Sequence, residues 1–286
     1  MQYLAPQTLD DAVKALASQP DAKVLAGGTD LLVRMRSDMI HPDVVLDIKR
    51  IDETRRITQE DGGWRIGASV SAAEMGENAA LVADWPGVVE AANLIGSTQI
   101  QGRCTIVGNL CNASPAADSV PAMVAANATV RVVGPEGTRD VPVQEIPVSP
   151  GKTSLKPGEF VASVFLPPRP ERSGDAYLRF IPRTEMDIAV VSAGVALQLD
   201  EGGTCTAARV SLGAVAPTVL LVPEAADTLI GTKVDEPALE ALAKAASAAA
   251  KPIADKRGTV EYRVHVAGVL ARRAAVIARN RAGGAS

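Results

Sequence analysis

The sequence predicts an α+β protein built in three successive parts, and three observations predict it. Strand-like and helix-like segments alternate around a Gly-Gly turn within the first fifty residues. A middle stretch combines short strands of alternating polarity with helices. Beyond a proline-rich linker, strands come first and helices last. The expected architecture is a two-part domain over residues 1–170, followed by a C-terminal α+β domain over 175–282. The first has a small α/β part over about 1–56 and an antiparallel-sheet α+β part over about 57–170. The second has a short antiparallel sheet and helices. A chain of 286 residues suits this at roughly 150 residues per domain.

The elements follow in order. Residues 8–18 read as a helix, with Thr8 as N-cap, Asp11 three residues later, and Leu9, Val13 and Leu16 on one apolar stripe. Residues 23–26 form a short strand, 27–30 a glycine turn, 31–36 a helix and 44–48 a second strand. From Trp64 to Ala68 the polarity alternates, residues 88–95 are helical, and 128–133 form a strand closed by the turn Gly134-Pro-Glu-Gly137. Residues 159–166 alternate again. The segment 167–174 holds four breakers and three charges, which marks it as the linker. Strands are expected at 189–199 and 206–214. Pro237 then opens an alanine-rich helix over 238–250, and a last helix runs over about 260–281 with Val266, Leu270, Ala274 and Ile277 on one face.

Composition excludes several functions. Hydrophobic residues at 47% and charged residues at 22% describe an ordinary folded chain. A net charge of −4 argues against a broad nucleic-acid surface, and 3% aromatics argue against base-stacking platforms. Cys104, Cys111 and Cys205 are widely spaced and supply neither a disulfide framework nor a set of iron–sulfur ligands. His41 and His265 are too few and too far apart for a histidine zinc site and read as surface residues. The N-terminus lacks the pattern of a signal peptide, and no apolar run reaches membrane-spanning length, so the expected location is cytoplasmic.

Two segments have the chemistry of a binding site. In Ala26-Gly27-Gly28-Thr29-Asp30, glycines between a strand and a helix let backbone N–H groups approach an anion at the positive end of a helix dipole. An ordinary strand-to-helix turn would look the same. In the second, residues 105–118, the small polar residues Thr105, Asn109, Asn112, Ser114 and Asp118 are concentrated around Gly108 and Pro115. A self-bonded surface loop is the other reading of that segment. About 80 residues separate the two. Such a pair suits a large ligand held at both ends, as a dinucleotide would be.

Taken together, these segments resemble the FAD-binding medium subunit of the molybdenum hydroxylases, the xanthine dehydrogenase and carbon monoxide dehydrogenase family. The resemblance rests on the Ala-Gly-Gly-Thr-Asp-Leu turn and on Thr105-Ile-Val-Gly-Asn-Leu followed by Ser114-Pro-x-x-Asp118. The approach Ile95-Gly-Ser-Thr-Gln-Ile-Gln-Gly-Arg103 resembles the family too. So do Gly151-Lys-Thr153, Leu155-x-Pro-Gly-Glu159 and Tyr177-Leu-Arg-Phe-x-x-Arg183, which recur in order. It covers essentially the whole chain. Val107 departs from it, standing where the family has a glycine.

The resemblance implies an FAD site between the two N-terminal parts. Ala26, Gly27, Gly28, Thr29, Asp30 and Leu31 would cradle the pyrophosphate, Val24 and Leu25 before them would also touch the cofactor, and Ile95 would pack on a ring. Thr105, Gly108 and Asn109 would meet pyrophosphate and ribose, with Val107, Cys111, Asn112 and Asp118 close by at the cofactor. Val161 would contact the ligand through its backbone. Arg179, often a lysine in the family, would neighbour the isoalloxazine as a positive group. For Cys111 the residue itself reads rather as a small buried hydrophobe. No catalytic residue and no metal ligand is expected on this chain. The molybdopterin cofactor and [2Fe–2S] clusters would sit on a large and a small partner subunit, in a dimer of heterotrimers, and electrons would leave through FAD to NAD, dioxygen or another acceptor. A flavin-free scaffold subunit and a stand-alone FAD oxidoreductase are the alternatives.

Overall fold

The computed structural model describes residues 1–283. The first lobe comprises β1 (Gln2–Leu4), α1 (Leu9–Ser18), β2 (Lys23–Leu25), α2 (Leu31–Arg36) and β3 (Val44–Asp47). The Thr8 hydroxyl accepts the Asp11 N–H and starts α1, as the sequence predicts. The three strands form a parallel sheet in the order β1-β3-β2, pairing Leu25 with Asp47. The chain therefore leaves β2 and β3 at the same edge of the lobe.

The second lobe begins with the hairpin β4 (Ile57–Glu60) and β5 (Gly63–Gly67). Six short helices follow: α3 (Ala72–Glu77), α4 (Ala79–Asp84), α5 (Pro86–Ala92), α6 (Thr98–Gln101), α7 (Ile106–Cys111) and α8 (Ser119–Ala125). The lobe closes with β6 (Thr129–Gly134), β7 (Gly137–Pro142), β8 (Pro147–Ser149), β9 (Lys152–Thr153) and β10 (Phe160–Leu166). Five strands make an antiparallel sheet in the order β4-β5-β10-β6-β7. The alternation expected for residues 64–68 and 159–166 is absent as a burial pattern, since β5 is buried throughout and β10 nearly so. Both strands are central. On the face away from Trp64 and Ile66, Gly67 backs onto the Thr54 main chain and Arg65 lies over the Phe165 ring, 4.8 Å from its centroid.

The third part comprises β11 (Ser173–Phe180), β12 (Val191–Leu199), β13 (Cys205–Gly213), β14 (Leu220–Leu221), α9 (Pro223–Asp227), α10 (Glu236–Ala249) and α11 (Val260–Ala282). The strands form an antiparallel sheet in chain order. Sequence reasoning missed β11, because its outward side chains are charged or aromatic and point toward protein. Ala176 joins the C-terminal core, whereas Asp175, Tyr177 and Arg179, spaced two apart, face the second lobe. The linker is correspondingly shorter than expected, because Ser173 and Gly174 already belong to β11. The first two lobes share one hydrophobic core, joining Leu46 and Ile48 to Ile66 and Val164, and the third part has its own beneath α10 and α11.

Candidate functional site

A cleft of about 620 Å³ runs between the first and second lobes, within the size range of small-molecule and cofactor sites. Its floor is made by the turn after β2 and by α7. Glycine at two positions gives the turn its form. Gly28 has φ +78°, a left-handed conformation that costs other residues energy. At Gly27 a Cβ would lie 1.8 Å from the Arg103 carbonyl oxygen, so only a bare α-carbon lets the turn touch the segment before α7. The two polar segments picked out by sequence thus meet backbone to backbone. Asn112 reinforces the junction by donating Nδ2–H to Asp30 Oδ1 at 3.3 Å.

Among the described residues, no protein acceptor meets the N–H groups of Gly27, Gly28, Thr29 or Asp30. Backbone donors of this kind are obligatory hydrogen-bonding groups. Four in succession at a cleft suit an anion with several oxygens. Lys23 and Arg34 add positive charge to the lining, and Thr29 adds a hydroxyl. Asp30 opposes them, and burial pushes its carboxyl above the ordinary range despite Arg34 nearby.

The second segment is helical over residues 106–111, where a loop was the alternative, and runs as turns from 112 to 118. Thr105 caps α7, its hydroxyl accepting the Gly108 N–H at 2.9 Å. Val107, the departure from the family pattern, is only 5% exposed and belongs to the core shared by both lobes, so its methyl groups are absorbed by packing. Asn109 lines the cleft but its Oδ1 accepts both the N–H and the hydroxyl of Ser119, at 3.1 and 2.8 Å, which starts α8. Cys111 is half-buried, and burial pushes its thiol up to about 12. Cys104, also in the lining, is pushed up to about 11. Both are protonated thiols at neutral pH.

Of the residues singled out by sequence, Val24, Ala26, Gly27, Gly28, Thr29, Asp30, Leu31, Ile95, Thr105, Val107, Gly108, Asn109, Cys111, Asn112 and Val161 all line this cleft. Leu25, Asp118 and Arg179 do not. Leu25 turns into the interior below the turn, where its Cδ1 lies against Gly28. Asp118 and Arg179 meet each other where β11 packs on the second lobe. Arg179 Nη1 donates to Asp118 Oδ2 at 2.7 Å, and the Tyr177 hydroxyl donates to Asp118 Oδ1 at 2.9 Å. The expected free positive group is therefore an ion pair. Burial pushes the Asp118 carboxyl up to about 6, against the opposing pull of Arg179 and Tyr177.

Apart from Val161, the far wall went unassigned in sequence. It comprises Gly151, Thr153, Leu155 and residues 156–161, beside Leu16, Gln19 and Pro20 from the end of α1, where Gly158 lies against Ala17. The signal was Leu155-x-Pro-Gly-Glu159, a turn whose Gly158 has φ +82°. Its neighbour, the end of α1, carries no sequence signal.

Comparison with known proteins gives this geometry a family. Residues 1–169 match the family described as FAD binding domain in molybdopterin dehydrogenase, and residues 176–277 match the CO dehydrogenase flavoprotein C-terminal domain. The chain is 34% identical to the carbon monoxide dehydrogenase medium chain of Afipia carboxidovorans, over 98% of this chain and 97% of that one. It is 32% identical to the xanthine dehydrogenase FAD-binding subunit of Escherichia coli O157:H7, over 92% and 91%. Its fold superimposes on a chain of reconstituted CO dehydrogenase from Oligotropha carboxidovorans with a TM-score of 0.93, at 34% identity and 98% coverage of both chains. A chain of quinoline 2-oxidoreductase from Pseudomonas putida 86 gives 0.89, at 27% identity and 100% and 98% coverage. The chain belongs to the FAD-binding family of the molybdopterin dehydrogenases.

Proposed function

We propose that this member of the molybdenum hydroxylase flavoprotein family holds FAD in the cleft between its first two lobes, as the electron-exit subunit of a heteromeric oxidoreductase. The observation that carries this is the row of N–H groups from Gly27 to Asp30, without an acceptor among the described residues, on cleft-lining residues between a strand and a helix. Ala26 to Leu31 would receive the pyrophosphate, with Lys23 and Arg34 balancing its charge. Thr105, Gly108 and Asn112 would bound the same ligand from the α7 side, and Ile95 and Val161 would supply apolar contact. When bound, FAD supplies two-electron chemistry, taking electrons from [2Fe–2S] clusters of a partner and passing them to NAD, dioxygen or another acceptor.

The contribution of the chain itself is position and electrostatics. The turn presents donors without having to reorganise, because Gly27 and Arg103 lock it against α7. The apolar lining from Ile95, Val107 and Val161 excludes water from the part of the ligand it covers. Asp118, Tyr177 and Arg179 tie the C-terminal domain to α8, and in this reading they act through the fold, from outside the cleft. The domain division at 1–170, with parts about 1–56 and 57–170, and 175–282 follows the same logic, with the ligand held wholly by the first unit. A large molybdenum-cofactor subunit, a small [2Fe–2S] subunit, assembly as a dimer of heterotrimers and a cytoplasmic location complete the proposal. No helix among the described residues is long and apolar enough to cross a membrane.

The test is co-purification of the full chain with its neighbouring subunits, followed by denaturation and identification of released chromophore by spectrum and mass. Stoichiometric FAD together with iron and molybdenum supports the reading. A well-folded complex free of flavin would replace it with the scaffold role, and FAD on a chain without partners would point to a stand-alone oxidoreductase.

A further inference from the structure

Behind the glycine turn lies a hydrogen-bonded chain of three side chains that never reaches the cleft. The Tyr3 hydroxyl donates to Asp47 Oδ2 at 2.5 Å. Asp47 Oδ1 receives the Lys49 main-chain N–H at 2.9 Å and its ammonium at 2.8 Å. Lys49 Nζ then reaches across to the carbonyl oxygen of Ala26 at 3.0 Å. The parallel pairing of β2 with β3 makes this possible, because Leu25 and Asp47 are register partners and the residues after each strand leave side by side. Asp47 is 6% exposed. Burial opposes its charge, but the hydrogen bonds from Lys49 and Tyr3 prevail and hold the carboxyl below the usual aspartate range.

A trans peptide is planar, so its C=O and N–H point in opposite directions. The Ala26–Gly27 peptide is trans, as are all the others described. Its carbonyl is held by Lys49, which does not line the cleft, while Gly27 does. Fixing the carbonyl outward therefore aims the Gly27 N–H the other way, and that N–H has no acceptor among the described residues. A peptide followed by Gly27-Gly28 is otherwise easy to flip, since glycine tolerates both signs of φ. A flip would turn a carbonyl oxygen toward the anion in place of a donor.

We infer that Lys49, oriented by Asp47, is a positioning residue that locks the Ala26–Gly27 peptide with its N–H presented to the pyrophosphate of FAD. This rests on the FAD reading of the cleft. The charge-assisted bond to the carbonyl does the locking, so a residue of similar reach that still donates should replace lysine, and an apolar one of equal length should not.

The experiment compares the full chain with Lys49→Met and Lys49→Arg. Each is freed of flavin and titrated with FAD and with riboflavin, which lacks the pyrophosphate, by flavin fluorescence. Lys49→Met is expected to bind FAD about tenfold to a hundredfold more weakly. It should bind riboflavin as the parent chain does, although its urea midpoint falls because Asp47 loses its cation, so riboflavin is the control for an intact cleft. Lys49→Arg is expected to retain most of the FAD affinity. Parent-like FAD binding by Lys49→Met overturns the inference and leaves the FAD reading intact. An equal loss for riboflavin overturns it as well. A parent chain that takes up no FAD brings down the reading beneath it.

Discussion

Replacing Gly27 with alanine tests whether the two halves of the cleft depend on one backbone contact. The added Cβ would lie 1.8 Å from Arg103 O, 2.7 Å from Arg103 C and 3.2 Å from Cys104 Cα. Carbon–oxygen approaches between main chains settle at about 3.3–3.6 Å, so the turn and the segment before α7 would have to part by roughly 1.5 Å. No rotamer change can relieve this, because all three obstructing atoms belong to the backbone. Overpacking of this kind costs about 1–3 kcal/mol, and each kcal/mol lowers Tm by about 2–4 °C in a chain of this size class. The separation also moves the unpartnered N–H groups away from α7, so FAD affinity should fall by more than about tenfold. The assay is thermal unfolding of the flavin-free chain beside FAD titration. Gly102→Ala is the control, since a Cβ there meets nothing within 4 Å. A Gly27→Ala protein with the parent's Tm and FAD affinity would refute the reasoning.

Other perturbations separate stability from binding. Gly108→Ala adds a Cβ whose only neighbour within 4 Å is Thr105 Oγ1 at 3.0 Å, on a residue that lines the cleft. Its Tm should stay within a few degrees of the parent's while FAD binding weakens, and an unchanged Kd would count against the proposed site. Arg179→Met strands the buried Asp118 carboxylate and should lower stability by about 3–5 kcal/mol in urea unfolding, with partial recovery in the Arg179→Met/Asp118→Asn pair. The Asp118 carboxyl is pushed from 3.8 up to about 6 in the fold, so its stabilising contribution is full below about pH 4 and lost as pH rises through 6. The stability of the parent relative to Asp118→Asn should therefore fall between pH 4 and 7, and a flat difference would contradict the shift. With its thiol pushed up to about 12, Cys111 should be alkylated slowly at pH 8, about tenfold faster per added pH unit, and more slowly once FAD is bound. Rapid alkylation at pH 7 would refute that environment.

The sequence was most legible where local rules act alone. The cap at Thr8, the helix at 31–36, the hairpin at 134–137 and the proline-started α10 all follow from short-range chemistry. It was least legible where another element supplies the environment. β11 went unread because Asp175, Tyr177 and Arg179 look like surface residues until α5 and α8 are placed against them. Residues 105–111 looked like a loop because their polar side chains serve as caps, Thr105 for α7 and Asn109 for α8.

The sequence by itself determined that the first lobe carries a glycine turn between a strand and a helix, that a second small-residue segment follows about 80 residues later, and that the ordered motifs resemble one flavoprotein family. These are properties of neighbours along the chain, and residue type and spacing encode them. Tertiary structure alone decided that Gly27 meets Arg103, that Lys49 reaches the Ala26 carbonyl, and that Arg179 is held by Asp118 outside the cleft. Each of those contacts joins residues far apart in the chain or on separate strands. They form only when burying the shared core brings the lobes and sheets together, which no local pattern encodes.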